Sequence, residues 1–198
     1  MKKLIGFSIL LIALVAFSFK NDGYDIGDKA MDFSLKNVNG EMVSMDDYDE
    51  AKGFMIIFTC NSCPYSVAYE DRIIALHEKY ADKGVPVIAI NPNDDEKSPK
   101  DSFKKMIVRA KEKGFPFPYV YDETQEITRA YGATNTPHVY VLDADRTVKY
   151  IGAIDNNTKS AEKADKKYVE DAVDAVLNGK EVLERKTKAI GCTIKWAS

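Results

Sequence analysis

The sequence predicts an α/β fold in which a central mixed sheet is flanked by helices and preceded by an N-terminal β-hairpin extension. Two observations carry this. Short apolar runs, Gly53 to Thr59 and Val85 to Ile90, read as strands buried on both faces, and each is followed by a segment whose apolar residues recur at helical spacing. Candidate strands also flank the turn-forming clusters Asn37-Val38-Asn39-Gly40 and Asp143-Ala144-Asp145-Arg146, which marks two hairpins. A chain of 198 residues with 45% hydrophobic content is long enough to bury one full core.

In chain order, Asp32 to Lys36 alternates polar and apolar residues, and Met42-Val43-Ser44 is the returning strand. Asp46 to Glu50 is a solvated connection to the first buried strand. The helix after that strand opens on Pro64, which suits a first turn. Val67, Ile73, Ile74, Leu76, His77 and Tyr80 form its apolar stripe, and Gly84 ends it. Beyond the second buried strand, Asn91 to Asp95 is a polar loop and Asn93 to Lys97 a solvated charge run. Ser98 is expected to cap a helix with Pro99 in its first position and Phe103, Met106, Ile107 and Ala110 facing inward before Gly114. Phe115-Pro116-Phe117-Pro118 must be extended, Tyr119-Val120-Tyr121 is a short strand, and Asp122 with Gln125 resembles a capping box ahead of Ile127 and Tyr131. His138 to Leu142 and Thr147 to Ile151 form the second hairpin. Asn156 to Lys167 is a solvated stretch, and Ala164 to Leu177 closes the core as a last helix with Gly179 beyond its end.

Charge and the N-terminus bound the setting. A formal charge of −3, with no Lys/Arg cluster interleaved with aromatics, argues against a nucleic-acid partner. Lys2 and Lys3 precede the apolar run Leu4 to Phe19, and the chain turns polar at Lys20-Asn21-Asp22-Gly23. This reads as a secretory signal over residues 1–18, with Ala16-Phe17-Ser18 as the cleavage site and 24–198 as the remaining domain. The run is shorter than the ~20 residues that span a bilayer comfortably, and an uncleaved membrane anchor is the alternative. Cleavage would remove Lys2 and Lys3 and take the formal charge from −3 to −5. The folded part is thus expected outside the cytoplasm, in a periplasmic or equivalent space where thiols can pair.

Cys60-Asn61-Ser62-Cys63-Pro64 lies between the first buried strand and its helix. At such a corner, free backbone N–H groups and the helix dipole favour a thiolate, which makes Cys60 the candidate nucleophile and Cys63 its partner. Closing so small a ring removes little chain entropy, so a structural disulfide is a poor reason for this spacing. Two thiolates with His138 would suit copper(I), a soft ion, although a histidine that begins a strand is ordinarily half-buried and hydrogen-bonded. His77 reads as packing. Cys192 is the odd third cysteine: a free and unreactive thiol, a third redox partner or an intermolecular link. Nothing in the sequence brings it near Cys60. Glu70 shares a helix face with Cys63, and a surface carboxylate is the simpler reading than a proton relay.

Taken with Asp32-Phe33-Ser34-Leu35, Asn39-Gly40, Thr136-Pro137 and Gly152-Ala153-Ile154-Asp155, the dithiol resembles the redoxin branch of the thioredoxin superfold. That branch includes the alkyl hydroperoxide reductase/thiol-specific antioxidant family and extracytoplasmic thioredoxin-like reductases, and the resemblance runs from about Asp32 to Ile154. It implies a thioredoxin-like fold and a cis Pro137 facing the dithiol. It also implies that Thr136 offers backbone groups to a partner peptide docking beside Cys60, so that Thr136 and Pro137 are substrate-binding residues. The chain departs from the pattern in places. Thr59 stands where thioredoxins carry Trp, and the one Trp is Trp196. The strand Phe54 to Phe58 lacks the buried acid that thioredoxin uses, which leaves the base for Cys63 unidentified. Peroxiredoxins place Thr and their peroxide-reducing cysteine at the positions of Cys60 and Cys63, so Cys60 weighs against an ordinary peroxidase. Gly191-Cys192-Thr193-Ile194-Lys195-Trp196 is similar to the ending of a subgroup of peroxiredoxin-like proteins.

The expectation is an extracytoplasmic thiol:disulfide oxidoreductase. Cys60 attacks a disulfide and Cys63 resolves the mixed disulfide, with no cofactor and no resident metal. Its partners would be disulfide-containing or dithiol proteins, reset by a membrane-linked electron donor. A peroxiredoxin-like thiol peroxidase, a copper-binding chaperone and a binding module with a structural dithiol are the alternatives.

Overall fold

The computed structural model describes residues 23–198, and the expected signal over residues 1–18 lies outside them. The elements are β1 (Leu35–Asn37), β2 (Met42–Val43), β3 (Gly53–Phe58), α1 (Pro64–Tyr80), β4 (Val87–Asn91), α2 (Phe103–Lys113), β5 (Tyr119–Tyr121), α3 (Glu126–Tyr131), β6 (Asn135–Thr136), β7 (His138–Asp143), β8 (Val148–Gly152), α4 (Tyr168–Leu177) and β9 (Cys192–Thr193). Among the described residues, no helix is long and apolar enough to cross a membrane.

Seven strands form one mixed sheet in the order β2-β1-β5-β4-β3-β7-β8. β3, β4 and β5 run parallel, whereas β7 is antiparallel to β3, β8 to β7, and β1 to β5. Every residue of β3 and β4 is buried, as the continuous apolar runs require, because both faces of the sheet are covered. Successive side chains of β3 point to opposite faces. Met55 and Ile57 pack with Tyr69, Ile73 and Leu76 of α1, Met106 of α2 and Val169 and Val173 of α4. Phe54, Ile56 and Phe58 pack on the other side with Phe33, Ile127, Tyr131 and Ile194.

The N-terminal hairpin is present and extends the sheet through β5. Asp32 anchors its far end by accepting from the Met45 N–H at 2.9 Å. The second hairpin is β7 and β8.

Several helix assignments shift for physical reasons. Val67 faces solvent, and Tyr69 and Glu70 turn inward in its place. The helix expected from Pro99 is a 3₁₀ turn over Pro99–Asp101 followed by α2, and Ile107 is exposed. Ser98 makes no cap with its side chain; its hydroxyl donates to Asp101 at 2.6 Å. Asp122 and Gln125 do not form a capping box. Asp122 accepts from the Thr128 N–H at 2.7 Å, while Gln125 is buried and donates to the carbonyls of Pro92 and Lys195 at 2.7 and 2.8 Å. α4 begins at Tyr168, later than expected. The short sheet of β6 and β9, which ties the C-terminus to the Thr136-Pro137 segment, has no counterpart in the sequence expectations.

Candidate active site

The corner between β3 and α1 sets the site. Cys63 is the N-cap of α1 and Pro64 follows in the first turn; the Ser66 N–H favours charge on the Cys63 sulfur, and the Cys63 N–H favours it on Cys60. The loop Cys60 to Cys63 is gripped through its two middle residues. The Ser62 N–H and hydroxyl both donate to Asp101, each at 2.9 Å, and the Asn93 amide joins the same carboxylate at 2.8 Å. Asn61 donates to the Lys100 carbonyl at 3.0 Å and accepts from the Tyr119 hydroxyl at 2.9 Å. Asp101 is fully buried, and it accepts from Ser62, Asn93 and Ser98, the hydrogen bonding that a polar group at that depth requires. Asn93 is buried in the same network, which corrects the reading of Asn93 to Lys97 as wholly solvated.

The Thr136-Pro137 bond is cis and the segment lies against both sulfurs. Thr136 Oγ1 is 3.2 Å from Cys60 Sγ, and the Thr136 carbonyl oxygen is 3.1 Å from Cys63 Sγ. The two thiols titrate as a pair. The Cys63 thiol is pushed down to about 4, chiefly by its interaction with the Cys60 side chain, with help from the Cys192 side chain and the N–H groups of Ser66 and Cys192. Cys60 is raised by that same Cys63 sulfur, then by burial and the negative Asp101. The favoured charge therefore sits on Cys63, whereas helix-start reasoning had placed it on Cys60. When the proton moves across, both partners are in place: the Thr136 hydroxyl can donate to a charged Cys60, and its carbonyl can accept from a protonated Cys63.

The structure also brings in Cys192, which sequence left as an odd thiol. Its N–H is 3.4 Å from Cys63 Sγ, and β9 pairs Cys192 with Thr136. The backbone edge expected to receive a partner peptide is thus occupied by the chain itself. Cys60 and Cys63 are 3% and 4% exposed, whereas Cys192 is half-buried.

Glu70 is not a surface carboxylate. It is buried and gripped by Arg109, with Nε and Nη2 donating at 2.7 and 2.6 Å. His138 is buried and its Nδ1 accepts from the Thr134 N–H at 3.4 Å; burial pushes its pKa down to about 4, so it is neutral. Among the described residues, no three His, Cys, Asp or Glu side chains converge as a metal-binding group. His77 packs against Phe117 as expected and accepts from the Val87 N–H at 3.3 Å. Trp196 lies under the Arg129 guanidinium, 4.3 Å away, and helps hold the C-terminal segment to α3.

A dithiol at a strand-to-helix corner, facing a cis proline across a mixed sheet with helices on its faces, defines a thioredoxin-like protein. The match to known families is more specific: residues 26–151 match the AhpC/TSA family, and the chain belongs to it. The thioredoxin-like protein YneN of Bacillus subtilis is 31% identical over 157 residues, which cover 72% of this chain and 85% of that protein. The thiol-disulfide oxidoreductase ResA of Bacillus thuringiensis subsp. konkukian is 26% identical over 151 residues, covering 71% of this chain and 81% of that one. Among solved structures, an uncharacterized conserved protein from Geobacillus kaustophilus superposes with a TM-score of 0.82 at 38% identity, covering 87% of this chain and 93% of that one.

Proposed function

We propose that the protein is an extracytoplasmic thiol:disulfide oxidoreductase whose working dithiol is Cys60 and Cys63. The observation that carries this reading is the placement of Thr136, which puts a hydroxyl on one sulfur and a carbonyl on the other. In the resting pair, Cys60 carries the proton and Cys63 the charge. As Cys60 attacks a partner disulfide, its proton passes to Cys63. One partner sulfur leaves as thiolate, and a bond forms between Cys60 and the other. Cys63 gives up its proton to the departing thiolate and attacks Cys60 Sγ. The second partner sulfur is released, and the Cys60–Cys63 disulfide holds the two-electron oxidation. Cys63 thus serves as the base for Cys60, and the acid missing from β3 is not needed for that step. Thr136 and Pro137 are the substrate-facing residues once β9 leaves the Thr136 edge it occupies in this structure.

The partners are disulfide-containing or dithiol proteins, and a membrane-linked dithiol donor resets the pair. The charged start and apolar run of residues 1–18 support export, with 24–198 as the exported domain. Names carried by relatives, thiol-disulfide oxidoreductase and thioredoxin-like protein, agree with exchange chemistry.

A trap tests the reading. In Cys63→Ser protein expressed with its own N-terminus, the mixed disulfide cannot resolve, and partner proteins are expected to remain on Cys60, released by reductant. A trapped-partner yield no higher than that of the Cys60→Ser, Cys63→Ser double variant would sink the assignment. A thiol peroxidase is favoured by one observation, the charge held on Cys63. Hydroperoxide consumption far above that of a free thiol, with no protein disulfide present, would replace exchange with that activity.

A further inference from the structure

The C-terminal strand occupies the place where a partner peptide was expected. Cys192 is paired with Thr136, and its N–H lies 3.4 Å from Cys63 Sγ. Its position is built into the fold. A Cβ on Gly191 would stand 2.1 Å from the Thr136 carbonyl oxygen, so glycine is what allows the strand to come this close. The Asn135 side chain donates to the Gly191 carbonyl at 3.0 Å, and Ile194 is buried in the core two residues beyond Cys192. Of the three cysteines, Cys192 is the outermost.

We propose that Cys192 is a third redox thiol, which takes over the disulfide of the Cys60–Cys63 pair as a Cys63–Cys192 bond and presents it to the electron donor. This rests on the exchange reading above. Cys192, deprotonated, attacks Cys63 Sγ. The Cys63–Cys192 bond forms, the Cys60–Cys63 bond breaks, and the electron pair leaves on Cys60, which takes up the proton that Cys192 gave. No electrons enter or leave, so the step is an isomerisation that needs no outside oxidant. A donor dithiol then attacks the accessible Cys192 Sγ. Cys63 departs as thiolate, the sulfur on which the Ser66 and Cys192 N–H groups favour charge, and a sulfur of lower pKa leaves faster. The donor's second thiol displaces Cys192, carries off the disulfide and leaves three reduced cysteines.

Disulfide mapping decides the matter. Reduced protein is treated with oxidised glutathione, quenched in acid and alkylated, and its peptides are identified by mass spectrometry. Wild type is expected to yield both Cys60–Cys63 and Cys63–Cys192 bonds, and Cys60→Ser the Cys63–Cys192 bond with loss of both alkylatable thiols. If Cys192 stays fully alkylatable in wild type while Cys60–Cys63 forms, and Cys60→Ser carries only glutathione adducts, the proposal is overturned and the exchange reading survives. If Cys192→Ser forms no Cys60–Cys63 bond while Cys60→Ser still closes Cys63–Cys192, the third thiol stands and the exchange reading falls.

Discussion

Cys60 and Cys63 are shifted in opposite directions, Cys60 up and Cys63 down, and this makes a titration prediction. Cys63 is depressed to about 4 from an ordinary 9.0, first by the Cys60 side chain. The thiolate absorbance of the reduced protein should therefore persist at neutral pH and disappear with a midpoint near pH 4. In Cys60→Ala that midpoint should move upward, because the largest cause of the depression is gone. A midpoint that stays in place would show that the Cys192 side chain and the N–H groups of Ser66 and Cys192 suffice without Cys60. The linkage sign follows. Between about 4 and 9.0 the unfolded chain binds a proton at Cys63 that the folded chain does not, so this group contributes stability above its unfolded value that is lost as pH falls through 4. The two cysteines were legible in sequence because their spacing and their strand-to-helix setting are local. Asp101 was not, since its role rests on Ser62, 39 residues away. Cys192 was legible only as an odd thiol, since its contact with Cys63 spans 129 residues.

Among the elements, the helices around the dithiol are held by buried polar groups that periodicity does not reveal. Glu70 of α1 and Arg109 of α2 make a two-bond pair, with Lys113 3.8 Å from the same carboxylate. Arg109→Ala would leave a buried carboxylate with that weaker partner, and a loss of about 3 kcal/mol in urea unfolding is expected. Adding Glu70→Gln should return part of it, because the uncompensated charge is then absent. A cost for the single variant under about 1 kcal/mol would mean the pair behaves as an exposed one. Strands, hairpins and α1 were readable because apolar runs and turn clusters record burial directly. Gln125 was misread for the opposite reason. Its spacing from Asp122 imitates a cap, whereas its amide holds the loop at Pro92 and the tail at Lys195. The pairing of β6 with β9 was invisible because two-residue strands carry no period.

At the scale of the whole molecule, the tail is the last layer of the fold and the cover of the site at once. Ile194 completes the core face beneath Phe58 and Tyr131, and Gly191 to Thr193 closes the edge beside Pro137. These roles separate experimentally from the sulfur chemistry. Removing residues 191–198 uncovers Cys60 and Cys63, so their alkylation by iodoacetamide should accelerate at least tenfold, since the tail would otherwise have to open by about 1.4 kcal/mol or more for reagent to enter. The same truncation should cost about 2 kcal/mol of stability, roughly the burial of one large aliphatic side chain. Cys192→Ser keeps the strand, so it should leave the cover intact and the alkylation of Cys60 and Cys63 slow. Equal alkylation rates in truncated and full-length protein would mean that β9 does not guard the dithiol. Acceleration confined to the truncation would assign access to the strand and leave only the third sulfur's redox role to Cys192. The freed β6 edge would then be open to an extended peptide, the mode by which a sheet edge takes up a partner strand.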